Sequence, residues 1–310
     1  MKNLAIGVDI GGSHISCCLV DISQKKIFSE SLVTLEINNR AAANEIISAW
    51  AKAIHQLCEK INCNQLAGVG FAMPGPFDYA SGIAKFTHEV DKYHALFDVD
   101  VAESLSKLLP FDKSQFRFMN DASAFAVGEA LLGKAKDVLH SISLTLGTGF
   151  GSAFIENYLP VIDRLDVPKL GCLWHLPFKD GIGDDYFSTR WFVKRYHELT
   201  GLQIDGVKEL VTLAQERKEI QEIFNEFGNN LSVFLSEWIN KFNAEKLVLG
   251  GNITGAYSLF GSALEKGFKN RGVVIQTGIS ELKENAALVG AACMFVEDYW
   301  LKLQPLLPKM

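Results

Sequence analysis

A chain of 310 residues, 48% hydrophobic and 21% charged, exceeds one ordinary core and suits two lobes of roughly 150 residues each. Its formal net charge of −6 argues against a nucleic-acid surface, which needs clustered Lys and Arg; the densest basic run is only Arg217-Lys218. No run of about 20 apolar residues is present to cross a bilayer, and Asp9 interrupts the first apolar stretch too early for a signal sequence. A cytoplasmic protein with no membrane and no nucleic-acid partner is expected.

In chain order, Leu4-Ala5-Ile6-Gly7-Val8-Asp9-Ile10-Gly11-Gly12-Ser13 predicts a buried strand entering a glycine turn. A second strand follows over 15–21, a turn at 23–25 and a third strand near 27–35. An amphipathic helix is predicted over 42–61, with Ile46, Ile47, Trp50, Ile54, Leu57 and Ile61 on one face. A strand over 66–72 ends in the loop Met73-Pro74-Gly75-Pro76. A helix near 102–109 leads to a strand over 115–119, and another helix starts after Asp121.

The opening pattern then returns over 140–155 as strand, glycine turn and strand. A long helix over 220–242 carries Ile223, Phe224, Phe227, Leu231, Phe234, Trp238 and Phe242 at helical spacing. Next come a strand over 246–249, the pair Gly250-Gly251, a helix, a strand over 273–277 and a last helix near 286–300. The shared order implies an internal duplication, with an α/β mixed sheet covered by helices in each half and a boundary near 119–120. The six cysteines show no paired metal-ligand spacing and are expected as small apolar residues in a reducing compartment.

Glycine permits positive φ and leaves no side chain between backbone and ligand. Successive N–H groups at the turns Gly11-Gly12-Ser13 and Gly147-Thr148-Gly149 can therefore converge on phosphate oxygens, with the Ser13, Thr145 and Thr148 hydroxyls as further donors. Neither turn is a Walker loop, and neither is followed by the helix that a dinucleotide fingerprint requires. Asp9, set in an apolar strand, needs a partner; beside a phosphate turn this is Mg²⁺ held through water, or else the hairpin that Asp9 itself caps.

The turn Asp9-Ile10-Gly11-Gly12-Ser13, the loop Gly70-Phe71-Ala72-Met73-Pro74-Gly75-Pro76-Phe77-Asp78, Asn120-Asp121-Ala122-Ser123-Ala124 with Gly128-Glu129, and Leu146-Gly147-Thr148-Gly149-Phe150-Gly151 occur in one order. Together with Gly250-Gly251-Asn252 and Gly290-Ala291-Ala292 they resemble the ROK family (repressors, open reading frames, kinases). The resemblance covers essentially the whole chain. It implies a two-lobed actin- and hexokinase-like (ribonuclease H-like) fold, with lobes over 1–119, completed by the C-terminal helix at 286–304, and over 120–285. It implies ATP and Mg²⁺ as cofactors and phosphorylation of a hexose, by default at O6 of glucose, with N-acetylhexosamine, mannose and fructose as alternatives. By the same resemblance Gly11, Gly12 and Ser13 hold the terminal phosphates, Gly147, Thr148 and Gly149 the others, and Gly250 and Gly251 the adenosine. Asn120 and Asp121 bind the sugar, Asp121 takes the proton of the attacked hydroxyl, and Pro74 and Gly75 shape the sugar loop. A carboxylate at a sheet's carboxyl edge suits that task, although helix capping also explains an Asn-Asp pair there.

The stretch Gly171-Cys172-Leu173-Trp174-His175-Leu176-Pro177 departs from the family pattern. His175 remains, but Cys172 stands for a Glu and Trp174 for a Gly, and the zinc-binding cysteine cluster is gone. One Cys and one His cannot complete a four-ligand site, so no structural zinc is expected. His175 then either contacts the sugar or packs beside Trp174. Asp184, in Asp184-Asp185-Tyr186-Phe187-Ser188, replaces a sugar-touching Glu and is one methylene shorter. The Asn that relatives carry before the catalytic segment is not evident in Phe86-Thr87-His88-Glu89-Val90-Asp91. A sugar-sensing regulator of the same family would carry a helix-turn-helix module first; only eight residues precede Asp9, so an enzyme is expected, with room for a homodimer as in many relatives.

Overall fold

Each half of the chain builds its sheet on one plan. In the first, β1 (Leu4–Ile10) runs antiparallel to β2 (His14–Asp21) and parallel to a later strand, β3 (Leu66–Met73), which is itself parallel to β4 (Phe116–Asn120). In the second, β5 (His140–Leu146) runs antiparallel to β6 (Phe150–Glu156) and parallel to β7 (Lys246–Gly250), which is parallel to β8 (Gln276–Ile279). The orders β2-β1-β3-β4 and β6-β5-β7-β8 are the same, as the duplication predicts. The computed structural model describes residues 2–310 apart from 60, 62 and 88–91, so the segment His88-Glu89-Val90-Asp91 lies outside the described residues.

The chain divides into one unit of Met1–Gly133, Tyr158–Pro160 and Glu284–Met310, and a second of Lys134–Asn157 and Val161–Lys283. The first unit thus keeps the helix that follows Asn120, whereas the sequence suggested a boundary at 119. The helices concerned are α1 (Ala43–Cys58), α2 (Asp121–Leu132), α3 (Thr189–Thr200), α4 (Lys218–Phe242), α5 (Tyr257–Asn270) and α6 (Asn285–Ala292). Helix α6 lies against both sheet and α2 at backbone distance. A Cβ on Gly7 would meet the Leu288 carbonyl oxygen at 2.0 Å, and one on Gly128 the Ala286 oxygen at 1.9 Å. That contact explains why the helix after Asn120 belongs to the first unit.

The second unit is held by aromatic packing. Phe187, Phe192, Phe224, Phe227 and Phe260 are fully buried, and α4 supplies much of the cluster through the spacing seen in the sequence.

Four expected elements differ. The strand over 27–35 is two short pieces, Lys26–Ile27 and Val33–Glu36, because a turn at Ser29–Ser31 intervenes and the Ser31 hydroxyl accepts from the Leu19 N–H. The helix over 42–61 stops at Cys58. The last helix is interrupted after Ala292: Cys293–Phe295 is a 3₁₀ turn, Val296 is extended, and a separate helix covers Glu297–Leu303. The strand over 273–277 begins at Gln276, since the Val273 N–H still bonds the Phe268 carbonyl past a left-handed Gly272.

Candidate active site

The first glycine turn closes β1 onto β2, with the Gly11 N–H donating to the His14 carbonyl at 2.9 Å. Its remaining carbonyls point into the protein. The Tyr93 hydroxyl donates to the Gly11 oxygen at 2.6 Å, the Asn39 amide to Gly12, and the Ile37 N–H to Ser13 at 2.8 Å. Gly12 and Ser13 are exposed, and their N–H groups face no protein acceptor among the described residues. Neither Gly11 nor Gly12 takes the left-handed backbone, so positive φ is not why glycine stands here. A Cβ on Gly12 would meet nothing within 4 Å, so the turn opens onto free space at this residue.

Asp9 sits one residue before the end of β1, opposite Ser16 on β2 and Ala72 on β3. Burial pushes its carboxyl up to about 7 from 3.8; Asp121 and Glu284 add to the rise, and Lys92 works against it.

Asn120 ends β4 and Asp121 opens α2. The Asn120 side chain caps the helix, its oxygen accepting from the Ser123 N–H at 3.1 Å, while its amide donates to Asp121 Oδ1 at 3.0 Å. Capping and orientation of Asp121 are thus one arrangement, not alternatives. The Ala122 N–H also donates to Oδ1, at 2.8 Å, so Oδ2 has no protein donor among the described residues. Tyr79 ties the loop of buried Pro74 and exposed Gly75 to this pair: its hydroxyl donates to the Met73 carbonyl at 3.1 Å and accepts from Asn120 Nδ2 at 3.3 Å.

In the second unit, the turn from β5 to β6 is gripped from outside. The Gly147 N–H donates to the Gly149 carbonyl at 3.1 Å. Thr189 bonds the Gly147 carbonyl twice, through its N–H at 2.8 Å and its hydroxyl at 3.0 Å. Arg190 Nη1 donates to the Thr148 carbonyl at 2.9 Å, and Nη2 to Asp184 Oδ2. Asp184 Oδ1 accepts from the Phe150 N–H at 2.7 Å. Asp184, which the resemblance set against the sugar, thus has both oxygens engaged at this turn. As in the first turn, Gly147 faces open space and the N–H groups of Thr148 and Gly149 meet no protein acceptor among the described residues.

Gly250 ends β7 beside Thr145. Gly251 has φ +84°, and a Cβ there would meet the Leu146 carbonyl oxygen at 2.3 Å. The residue is glycine because two backbones touch and because of its left-handed φ. Cys172 Sγ lies 3.7 Å from His175 Nδ1, and His175 packs edge-on to Trp174. Burial pushes the Cys172 thiol up to about 11 and holds the His175 imidazole below its usual range, with Lys169 lowering it further. The pair is therefore neutral at physiological pH. No group of three or more His, Cys, Asp or Glu suited to a metal occurs among the described residues.

The structure adds Tyr93, Asn39, Tyr79, Thr189, Arg190 and Glu284 to the residues that the sequence singled out. Most had no signal, because loops and side-chain reach across the fold place them. Arg190 had one: a cation in the first turn of a helix opposes the helix dipole.

A family model described as ROK family matches residues 5–164. The N-acetyl-D-glucosamine kinase of Haemophilus influenzae is 23% identical over 316 residues, covering 94% of this chain and 98% of that one. The glucokinase of Thermotoga maritima is 26% identical over 325 residues, covering 94% and 97%. The solved structure of a ROK family glucokinase from Streptomyces griseus, in complex with glucose and AMPPNP, has the same fold. Its TM-score is 0.73 at 23% identity, with 93% of this chain and 98% of that one covered. No described helix is long and apolar enough to cross a membrane.

Proposed function

The chain belongs to the ROK family as an ATP-dependent sugar kinase, and from that premise we propose that it phosphorylates a hexose hydroxyl with Asp121 as general base. The observation that carries this reading is the state of Asp121. It stands at the carboxyl edge of a parallel strand with Oδ1 held by Asn120 and Ala122 and Oδ2 bonded to no protein donor among the described residues. A sugar hydroxyl is a weak nucleophile; a fixed carboxylate orients it and takes its proton late in the transfer. Asn120, Pro74 and Gly75 are the sugar-facing residues in this reading, and Tyr79 sets their loop.

Phosphoryl transfer needs in-line positioning and charge neutralisation more than covalent help from the protein. The outward N–H groups of Gly12, Ser13, Thr148 and Gly149 are suited to receive phosphate oxygens. Mg²⁺ suits the first turn in this reading, because burial, with Asp121 and Glu284 adding to it, pushes the Asp9 carboxyl up to about 7 and a cation there would relieve it. Asp9 would hold the ion through water, with nucleotide phosphates as the remaining ligands. Bound there, Mg²⁺ neutralises the terminal phosphates.

O6 of glucose is the default acceptor. N-acetylglucosamine is the second candidate, supported by the likeness to the Haemophilus influenzae enzyme. An ADP-release assay over hexoses and aminosugars tests the reading and separates the two. No turnover on any sugar, with sugar binding still measurable, would leave a sensor in place of a kinase. One Cys and one His cannot complete a four-ligand zinc site, so zinc in the purified protein should be substoichiometric; metal analysis finding one zinc per chain would overturn that.

A further inference from the structure

Arg190 spends its charge in an unusual place. It is the second residue of α3, where a cation opposes the helix dipole, and no acidic residue shares that first turn to compensate. Its ion pair with Asp184 is a poor reason to keep it, since the Arg190 side chain is 57% exposed and exposed pairs contribute little stability. What the guanidinium does is fix one backbone group: Nη1 holds the Thr148 carbonyl inward, while Asp184 fixes the Phe150 N–H on the far side of the turn.

With Thr189 on the Gly147 carbonyl, both leading carbonyls of this turn are held, and the Thr148 and Gly149 N–H groups, which meet no protein acceptor among the described residues, are left for an anion. A guanidinium carries five N–H donors, and two serve these contacts, so the others are available to the same anion. The surroundings agree. A cavity of about 490 Å³ opens beside Thr148 and is lined by Arg190, Val193, Lys194 and His197, which recur on one face of α3, with Asp205 also in its wall. Lys194 pairs with Glu198 at 3.9 Å, and His197 Nδ1 lies 3.2 Å from the Leu202 carbonyl and 3.5 Å from Gln203 Nε2, so both side chains are held locally beside the cavity.

We propose that Arg190 is a positioning residue for the donor nucleotide: held by Asp184, it locks the second glycine turn with its N–H groups outward and adds positive charge to the phosphate chain bound there. The proposal rests on the kinase reading and deepens it. Donor binding, not the sugar or the proton transfer, is what Arg190 controls.

The test is calorimetric titration of MgATP and MgADP into the intact protein without sugar, alongside steady-state kinetics. Arg190→Gln is expected to weaken nucleotide binding about 10- to 100-fold, the effect of losing a charge-assisted phosphate contact. The ATP KM should rise by a like factor while the sugar KM stays within about twofold. Arg190→Lys keeps the charge but not the fork and should fall between. Asp184→Asn keeps the Arg190 charge but releases its hold, so a weaker nucleotide affinity there identifies positioning as a separate part of the effect. A folded Arg190→Gln or Arg190→Lys protein, by thermal melting, that binds MgATP as tightly as the wild type would overturn the proposal and leave the kinase reading standing. A wild-type protein that binds no nucleotide and turns over no sugar would overturn the kinase reading, and this proposal with it.

Discussion

The two glycine turns are built on the same strand plan and differ in charge. Asp9 and Thr145 occupy matching places, each two residues before the first glycine and each paired with the hairpin partner and with the next parallel strand. Around the first turn the donors to backbone carbonyls are neutral (Tyr93, Asn39 and Ile37), and the charged groups that act on Asp9 are chiefly acids. Around the second, Thr189 and a guanidinium hold the carbonyls, and Asp184 is paired with that guanidinium. One backbone device thus serves two electrostatic settings. On the proposed reading, the acidic turn takes a cation between it and a phosphate, and the second turn takes the phosphate directly.

The largest effect should come from the acid that the first turn shares its field with. Asp121→Ala is expected to lower kcat by about 10²- to 10⁴-fold while MgATP binding stays close to wild type. Unchanged turnover in the ADP-release assay would remove Asp121 as the base. Copying the second turn into the first, by Asp9→Thr, should reduce transfer roughly 100-fold and weaken the dependence of rate on Mg²⁺ concentration. A magnesium titration with the wild-type half-saturation point would break the proposed division of labour between the turns.

A third contrast sets a glycine of the turn against one of the packing. Gly7→Ala forces a methyl into the Leu288 carbonyl and should cost about 1–3 kcal/mol or more, read as a lower melting temperature. Gly12→Ala adds a methyl to open space; its melting temperature should stay put while the ATP KM rises severalfold. Equal stability loss in both variants would contradict the geometry.

The smallest effect is the pH dependence of stability. Asp9 titrates near 7 in the folded chain and at 3.8 ordinarily, so the native state holds an extra proton between those values. Stability linked to that proton is full below about pH 4 and is lost as pH rises through 7. Asp9→Asn abolishes the loss, so the variant should gain stability over wild type at pH 8 and little at pH 4. Parallel pH–stability curves for the two proteins would show that Asp9 is not strained by its surroundings.

Strand periodicity, the two glycine hairpins and the helical spacing of Ile223 to Phe242 were sufficient for the duplicated α/β plan, because burial patterns are local in sequence. The same locality sets the limit. Nothing local marks the break after Ala292, where the last helix ends in a 3₁₀ turn, or the Ser31 hydroxyl that interrupts a strand. The sequence alone also singled out the residues that the proposed function uses: Asp9, Asn120, Asp121 and the turns at Gly11 and Gly147. Tertiary structure decided what each is bonded to. It made Asn120 both cap and clamp, engaged both Asp184 oxygens at the second turn, and set Gly12 and Gly147 beside open space without positive φ. The physical reason is reach: a side chain of a few ångströms joins residues such as Tyr93 and Gly11, 82 apart in the chain, and only the folded backbone brings such pairs within hydrogen-bond distance.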